Sequence, residues 1–266
     1  MHQASVTTDG PVQFIKGQHV GNLTDADVRG LTALNGAEFN ATIRVLSRHL
    51  VNYFENAQSF IITWVRLERI TFDAFQRCGN IQEVVLMNNE LTSLYDGTFR
   101  NCRNLRRLDL RSNWIETINS DAFNGLSTLS DLRLTSNWLS NLPDDVFQHL
   151  SSLELLDMGH TNLQRISQHL LSPFVNLQAA FLNSNQLTEI HPEAFNYLEN
   201  LMFLDISNNF LTSFPDGLFQ NNTNLRQFFA TSNFITRLDR KSFGIHPFGN
   251  LINVVKNRIV EIDPQF

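Results

Sequence analysis

Cys78, Cys102, eight histidines and three Asn-x-Thr sequons are the residues of this chain that could carry covalent or metal chemistry. The histidines are scattered, and none falls in the H-E-x-x-H spacing that sets two imidazoles around zinc. Two cysteines cannot build a four-cysteine zinc site, nor staple a miniprotein. No G-x-S-x-G elbow or glycine-rich phosphate loop occurs. Serine, histidine and aspartate are plentiful, but no segment places one where it could activate another. No catalytic residue, metal or cofactor is therefore expected. Asn22-Leu-Thr, Asn40-Ala-Thr and Asn221-Asn-Thr are candidate glycosylation sites. What remains is noncovalent: side chains that could grip another macromolecule.

Composition narrows the classes further. Of 266 residues, 42% are hydrophobic and only 17% charged, which is too apolar for a disordered chain. Leucine (36), asparagine (30) and phenylalanine (22) dominate. A net charge of −6 with no Lys/Arg run argues against a nucleic-acid partner, which needs a basic patch. No apolar stretch approaches the roughly 20 residues of a membrane-spanning helix. So skewed a composition points to an internal repeat.

The repeat has a period of 24. Asn89, Asn113, Asn137, Asn185, Asn209, Asn233 and Asn257 share one position, Thr161 fills the gap among them, and Val65 precedes them. Two residues on stand Leu67, Leu91, Ile115, Leu139, Leu163, Leu187, Leu211, Ile235 and Ile259. Ten on stand Phe75, Phe99, Phe123, Phe147, Leu171, Phe195, Phe219 and Phe243. The stretch Leu105-xx-Leu108-x-Leu110-xx-Asn113-x-Ile115-xx-Ile118-xxxx-Phe123-xx-Leu126 resembles the leucine-rich repeat in its 24-residue typical class. The resemblance covers 57–266, about nine repeats with the last incomplete. It fades over 10–56, read as two degenerate repeats, and 1–9 is read as a tail.

That resemblance implies an α/β right-handed horseshoe solenoid with a parallel β-sheet on its concave face. Each coil opens with a short strand whose alternate residues point in and out. Leu108 and Leu110 are expected inward, and Arg107, Asp109 and Arg111 outward. Strands stacked at ~4.8 Å would make the sheet about 40 Å long. The Asn follows the strand where main-chain groups turn into the coil, so its amide is expected to bond its own coil and the next. Thr161 can do part of this, and Val65 none. The Phe column fills the opposite side, where the return segment has no room for a full helix. Cys78 and Cys102 share one repeat position. Stacked Cα atoms lie close enough for a disulfide, but parallel side chains are seldom aimed for one. Buried free thiols are the expectation.

Residues that the repeat does not dictate carry the functional reading. Outward strand positions gather Arg107, Arg111 and Arg133 with Asp109 and Asp131, then Leu155, then Phe181, Phe203 and Phe229 on three adjacent strands. Exposed aromatic rings beside arginine are typical interface anchors, so Arg107, Arg111, Arg133, Leu155, Phe181, Phe203 and Phe229 are the candidate protein-binding set. Asp109, Asp157 and Asp205 are weaker evidence for binding, since Asp is commonplace there in the family. Trp114 with Trp138, and Phe210 with Phe234, follow the ladder position directly and are expected to stack at the rim. His160 is read as a strand-edge residue, and His246 as a residue of the convex side. Asn222 replaces a Leu, Cys or Phe and should loosen its coil.

Repeats of this class are mostly extracellular, in secreted proteins and receptor ectodomains. The N-terminal residues lack a basic region followed by an apolar core, and the chain stops at Asp263-Pro-Gln-Phe266, part-way round a coil. A piece of a longer secreted or membrane-anchored protein is expected. The reading is an extracellular module that binds a protein ligand on its concave face, of the innate-immune or adhesion type. An intracellular scaffold is the alternative, and an enzyme lacks any constellation.

Overall fold

The computed structural model describes residues 42–52, 56–244 and 251–264, and the backbone of the strands Ser5–Thr7, Phe14–Lys16 and Ala33–Asn35. Asn22, Asn40 and His246 lie outside the described residues. The chain divides into two units, Met1–Arg133 and Leu134–Phe266.

In the first unit the strands Ser59–Thr63, Glu83–Val85, Arg107–Asp109 and Asp131–Arg133 pair in parallel. Their register follows the repeat, with Ser59 opposite Glu83, Glu83 opposite Arg107, and Arg107 opposite Asp131. Ahead of them Ala33–Asn35 pairs in parallel with Ser59–Thr63, and Phe14–Lys16 with Ala33–Asn35. Ser5–Thr7 runs antiparallel to Phe14–Lys16. In the second unit Leu155–Asp157, Ala179–Phe181, Phe203–Asp205, Gln227–Phe229 and Leu251–Asn253 form an equivalent parallel ladder. These strands are only three residues long because each coil needs just one inward apolar residue between two outward ones. Leu108, Leu156, Leu204 and Phe228, the inward residues, are fully buried.

Return segments are turns and two-residue parallel strands such as Ser93–Leu94 against Thr117–Ile118 and Arg165–Ile166 against Glu189–Ile190. Among the described residues the only helices are Arg48–Asn52 and Arg240–Phe243. The Phe column leaves no more room: Phe75, Phe99, Phe123, Phe147, Phe195, Phe219 and Phe243 are buried. Phe75 and Phe99 meet at 5.1 Å between centroids, and Phe219 and Phe243 at 5.1 Å. Where Leu171 interrupts the column, Phe174 supplies the ring, 5.2 Å from Phe147.

The asparagine ladder is present, but each amide reaches back to the preceding coil rather than forward. Asn185 Nδ2 donates to Leu182 O of its own coil and Met158 O of the one before, at 3.0 and 2.8 Å. Its Oδ1 accepts from Thr161 N and Leu163 N at 2.8 and 3.1 Å. Asn89, Asn113, Asn209, Asn233 and Asn257 repeat the pattern. Asn137 donates to Leu134 O. Thr161 holds only Met158 O of its own coil and the Asn185 carboxamide. The main chain turns off each strand through a left-handed residue just ahead of the ladder: Asn88, Ser112, Ser136, His160, Ser184, Asn208 and Ser232 all have φ between 53° and 59°.

A second ladder accounts for more of the asparagine. Asn104, Asn176, Asn200 and Asn224 donate to Gly79, Ser151, Val175 and Glu199 carbonyls of the preceding coil at 2.6–2.9 Å, and the Thr128 hydroxyl does the same to Arg103. Near it, Gly125 has φ +93°, and a Cβ there would come 2.3 Å from Arg100 O.

The expectation of free thiols also needs correction. Cys78 and Cys102 form a disulfide, with Cα atoms 4.7 Å apart. The short stacking distance brings both residues into bonding range, and the turn they occupy is not constrained as a strand would be, so parallel side chains are no obstacle. Asn222 is buried in its coil, where its Nδ2 ties to Phe195 O and Leu198 O at 3.0 and 2.9 Å while its Oδ1 is buried without a hydrogen-bond partner among the described residues.

Candidate functional site

The outward face of each unit's parallel sheet has its own chemistry. In the first unit it is an ion network. The Asp109 side chain, expected at the surface, is completely buried beneath Arg107 and Arg111. Arg111 grips it with Nε and a terminal nitrogen at 2.9 and 2.7 Å, and donates its backbone N–H at 3.2 Å. Arg107 reaches Glu83 at 3.3 Å, Asp109 at 3.4 Å and Asp131 at 3.7 Å. Arg133 holds Asp131 through two hydrogen bonds of 2.9 and 3.0 Å.

Burial alone would raise the Asp109 carboxyl. The Arg111 hydrogen bonds and the charges of Arg111 and Arg107 overcome that and hold it below its ordinary 3.8. The Asp131 hydrogen bonds raise the Arg133 guanidinium, against its partial burial. The three arginines of the candidate set are thus brought together, and each is paired with carboxylates of its own face.

In the second unit the face is aromatic. Phe181, Phe203 and Phe229 lie on three adjacent strands and touch diagonally, with centroids 4.7 and 5.5 Å apart and planes tilted by 36° and 38°. Each ring is half-buried, so it packs on its neighbour and still presents area to solvent. Leu155 occupies the same row as Ala179 and Phe203 and is likewise half-buried. Register sets Asp157 opposite Phe181, Phe181 opposite Asp205, and Asp205 opposite Phe229. Asp157 and Asp205 each accept a backbone N–H two residues on, from Gly159 at 3.3 Å and Ser207 at 2.9 Å. Asn253 does the same for Val255 at 3.2 Å. That turn bond gives these aspartates a part in the scaffold. Their alternation with the rings follows the 24-residue spacing of Asp157, Phe181, Asp205 and Phe229.

At the rim, Phe210 and Phe234 stack at 5.9 Å and 15°, and the Arg258 guanidinium lies 4.4 Å over Phe234. Trp114 and Trp138 stand in different units, each about half exposed. Asn221 is exposed, and its Nδ2 donates to Asn196 O at 3.2 Å. Among the described residues there is no grouping of three His, Cys, Asp or Glu able to hold a metal ion, and no helix long and apolar enough to cross a membrane.

Comparison with known proteins bears on this arrangement. The leucine rich repeat family model matches residues 79–139, 127–187 and 176–235, more than half of the chain. Among solved structures, the APL1 leucine-rich repeat domain superposes with TM-score 0.67 at 19% identity, over 94% of this chain and 70% of that one. TLR13 in a complex with single-stranded RNA superposes with TM-score 0.55 at 19% identity, over 85% of this chain. The chain spans 41% of the TLR13 chain's length. No curated protein matches the sequence. With the phased repeat, both ladders and the matched family model agreeing, this chain belongs to the leucine-rich-repeat family.

Proposed function

We propose that the chain is an extracellular binding module that takes a protein ligand on the concave sheet face, in innate-immune recognition or cell adhesion. The single observation that supports this best is the contiguous patch of Phe181, Phe203 and Phe229, half-exposed and in mutual contact. Rings of this kind supply large contact area at little conformational cost, and such anchors dominate protein interfaces. Leu155 extends the patch, while Arg107, Arg111 and Arg133, the other members of the candidate set, are engaged by carboxylates of the first unit's own face. The Cys78–Cys102 bond supports an oxidising compartment. TLR13's RNA complex concerns that protein. Here the arginines are occupied by Glu83, Asp109 and Asp131, and the net charge of −6 supports a protein ligand over RNA.

The test is capture from extracellular fluid with the parent chain, followed by affinity measurement of the captured protein. Phe203→Ala and Phe229→Ala should keep the fold, seen by circular dichroism, and weaken that affinity at least tenfold. Equal affinity of both variants would remove the patch from the interface. A mass shift at Asn221 of secreted protein, reversed by N-glycanase, would independently support the compartment.

A further inference from the structure

In the second unit, four adjacent strands present one row across the sheet: Asp157, Phe181, Asp205, Phe229. Parallel strands stack about 4.8 Å apart, so a group lying over Phe181 has a carboxylate on either side of it. The outward strand positions of this unit from 155 to 255 contain no lysine or arginine. Arg226 precedes its strand and Lys256 follows the turn, both off the row, while Glu154 lies on the same edge as Arg226. Among the described residues neither Asp157 nor Asp205 has an ion-pair partner.

The first unit shows what that repeat position takes when the chain provides for it. Asp109 occupies the column of Asp157 and Asp205, makes the same turn bond, and is covered by Arg107 and Arg111. At the corresponding places around Asp205 the chain has Phe203 and Ser207 instead. One carboxylate oxygen of Asp205 is spent on Ser207 N, which fixes the group's direction beside the rings.

We infer that the partner on this face supplies the missing cations: it is a protein segment with arginine or lysine set among apolar side chains, the cation resting on the Phe181 ring between Asp157 and Asp205. A guanidinium or ammonium over an aromatic face is attracted by the ring quadrupole, and flanking carboxylates add charge complementarity that selects partner and register. Apolar neighbours of that cation cover Phe203 and Phe229. An anionic partner meets two carboxylates there and no cation. This deepens the reading above and rests on it.

The experiment titrates the whole chain with three probes: acetyl-(Arg-Leu)4-amide, its (Glu-Leu)4 counterpart, and a single-stranded RNA oligonucleotide. Binding is read by anisotropy, and the site by amide shifts. The arginine peptide should bind, move the amides of 179–181 and 203–205, and weaken with added salt. Asp157→Asn with Asp205→Asn should weaken it at least tenfold. Asn is a clean replacement because Asn253 holds the same turn bond at its own repeat position. Glu116→Gln with Glu199→Gln removes equal charge from exposed positions off the sheet face and should change binding less than twofold. Tighter binding of the glutamate peptide or of RNA overturns the inference, as does no binding of the arginine peptide at millimolar concentration, or equal loss in both double variants. If the phenylalanine variants lose a captured partner while D157N/D205N keeps it, the patch stands and the cationic class falls.

Discussion

Asp109 and Asp205 occupy one repeat position and make one backbone hydrogen bond, yet they stand on opposite kinds of surface. Around Asp109 the outward neighbours are arginines, and the carboxylate disappears beneath them. Around Asp205 they are Phe203 and Ser207, with Phe181 and Phe229 on the flanking strands, and the carboxylate stays partly open. A repeat therefore prescribes where a side chain stands and leaves its use to the residues two places away. The first unit closes its charges on itself. The second leaves complementary groups for a partner.

The strongest way to break this contrast is Arg111→Ala. Losing its main partner leaves the buried Asp109 carboxylate with Arg107 alone, 3.4 Å away, and costs about 3 kcal/mol, the low end for breaking a buried ion pair. Urea unfolding followed by peptide-level hydrogen exchange should place that loss in residues 83–133. The pH dependence sharpens it. Asp109 titrates below its ordinary 3.8 in the folded chain, so its contribution is fully present above that value and fades as pH falls through the lowered one. In R111A the burial is left without its main compensation, and acid should lose its destabilising effect at this site.

Removing the disulfide by Cys78→Ala with Cys102→Ala comes next. Closing a loop of 24 residues stabilises by about 3 kcal/mol in the chain-entropy treatment. Exchange should quicken in 60–133 and stay unchanged in 155–244. Phe203→Ala removes two ring contacts worth about 0.5–1.5 kcal/mol each, so thermal unfolding should report a loss of about 1–3 kcal/mol with the fold retained. The smallest effect belongs to Asp157→Asn, within about 0.5 kcal/mol of the parent because the amide can keep the turn bond. A large loss there would mean that Asp157 serves the scaffold alone.

Much of this was legible in advance. Positions recurring every 24 residues identify the strand, the ladder and the Phe column, since a residue type repeated in phase faces the same surroundings in every coil. The diagonal contact of Phe181, Phe203 and Phe229 also follows from spacing. The second ladder, at Asn104, Asn176, Asn200 and Asn224, is equally periodic. Each of its asparagines directly precedes a buried periodic leucine, as in Asn104-Leu105 and Asn200-Leu201, but an exposed Asn in a turn has no single partner that spacing identifies. The left-handed column is periodic as well, with Ser or Asn at six of the seven positions 88, 112, 136, 160, 184, 208 and 232, but the sign of its φ comes from the way the backbone leaves the strand and not from residue type alone.

Sequence alone determined the coil, its period, its register and which side chains leave the sheet, because burying apolar residues at a constant interval admits one way of stacking. Only the tertiary structure decided which outward groups are spent internally. Whether Cys78 meets Cys102, whether Asp109 is covered, and whether Asp157 and Asp205 are left beside open rings depend on angles and distances between coils. Those are set by turn geometry and by side-chain reach, a matter of ångströms that residue identity does not encode.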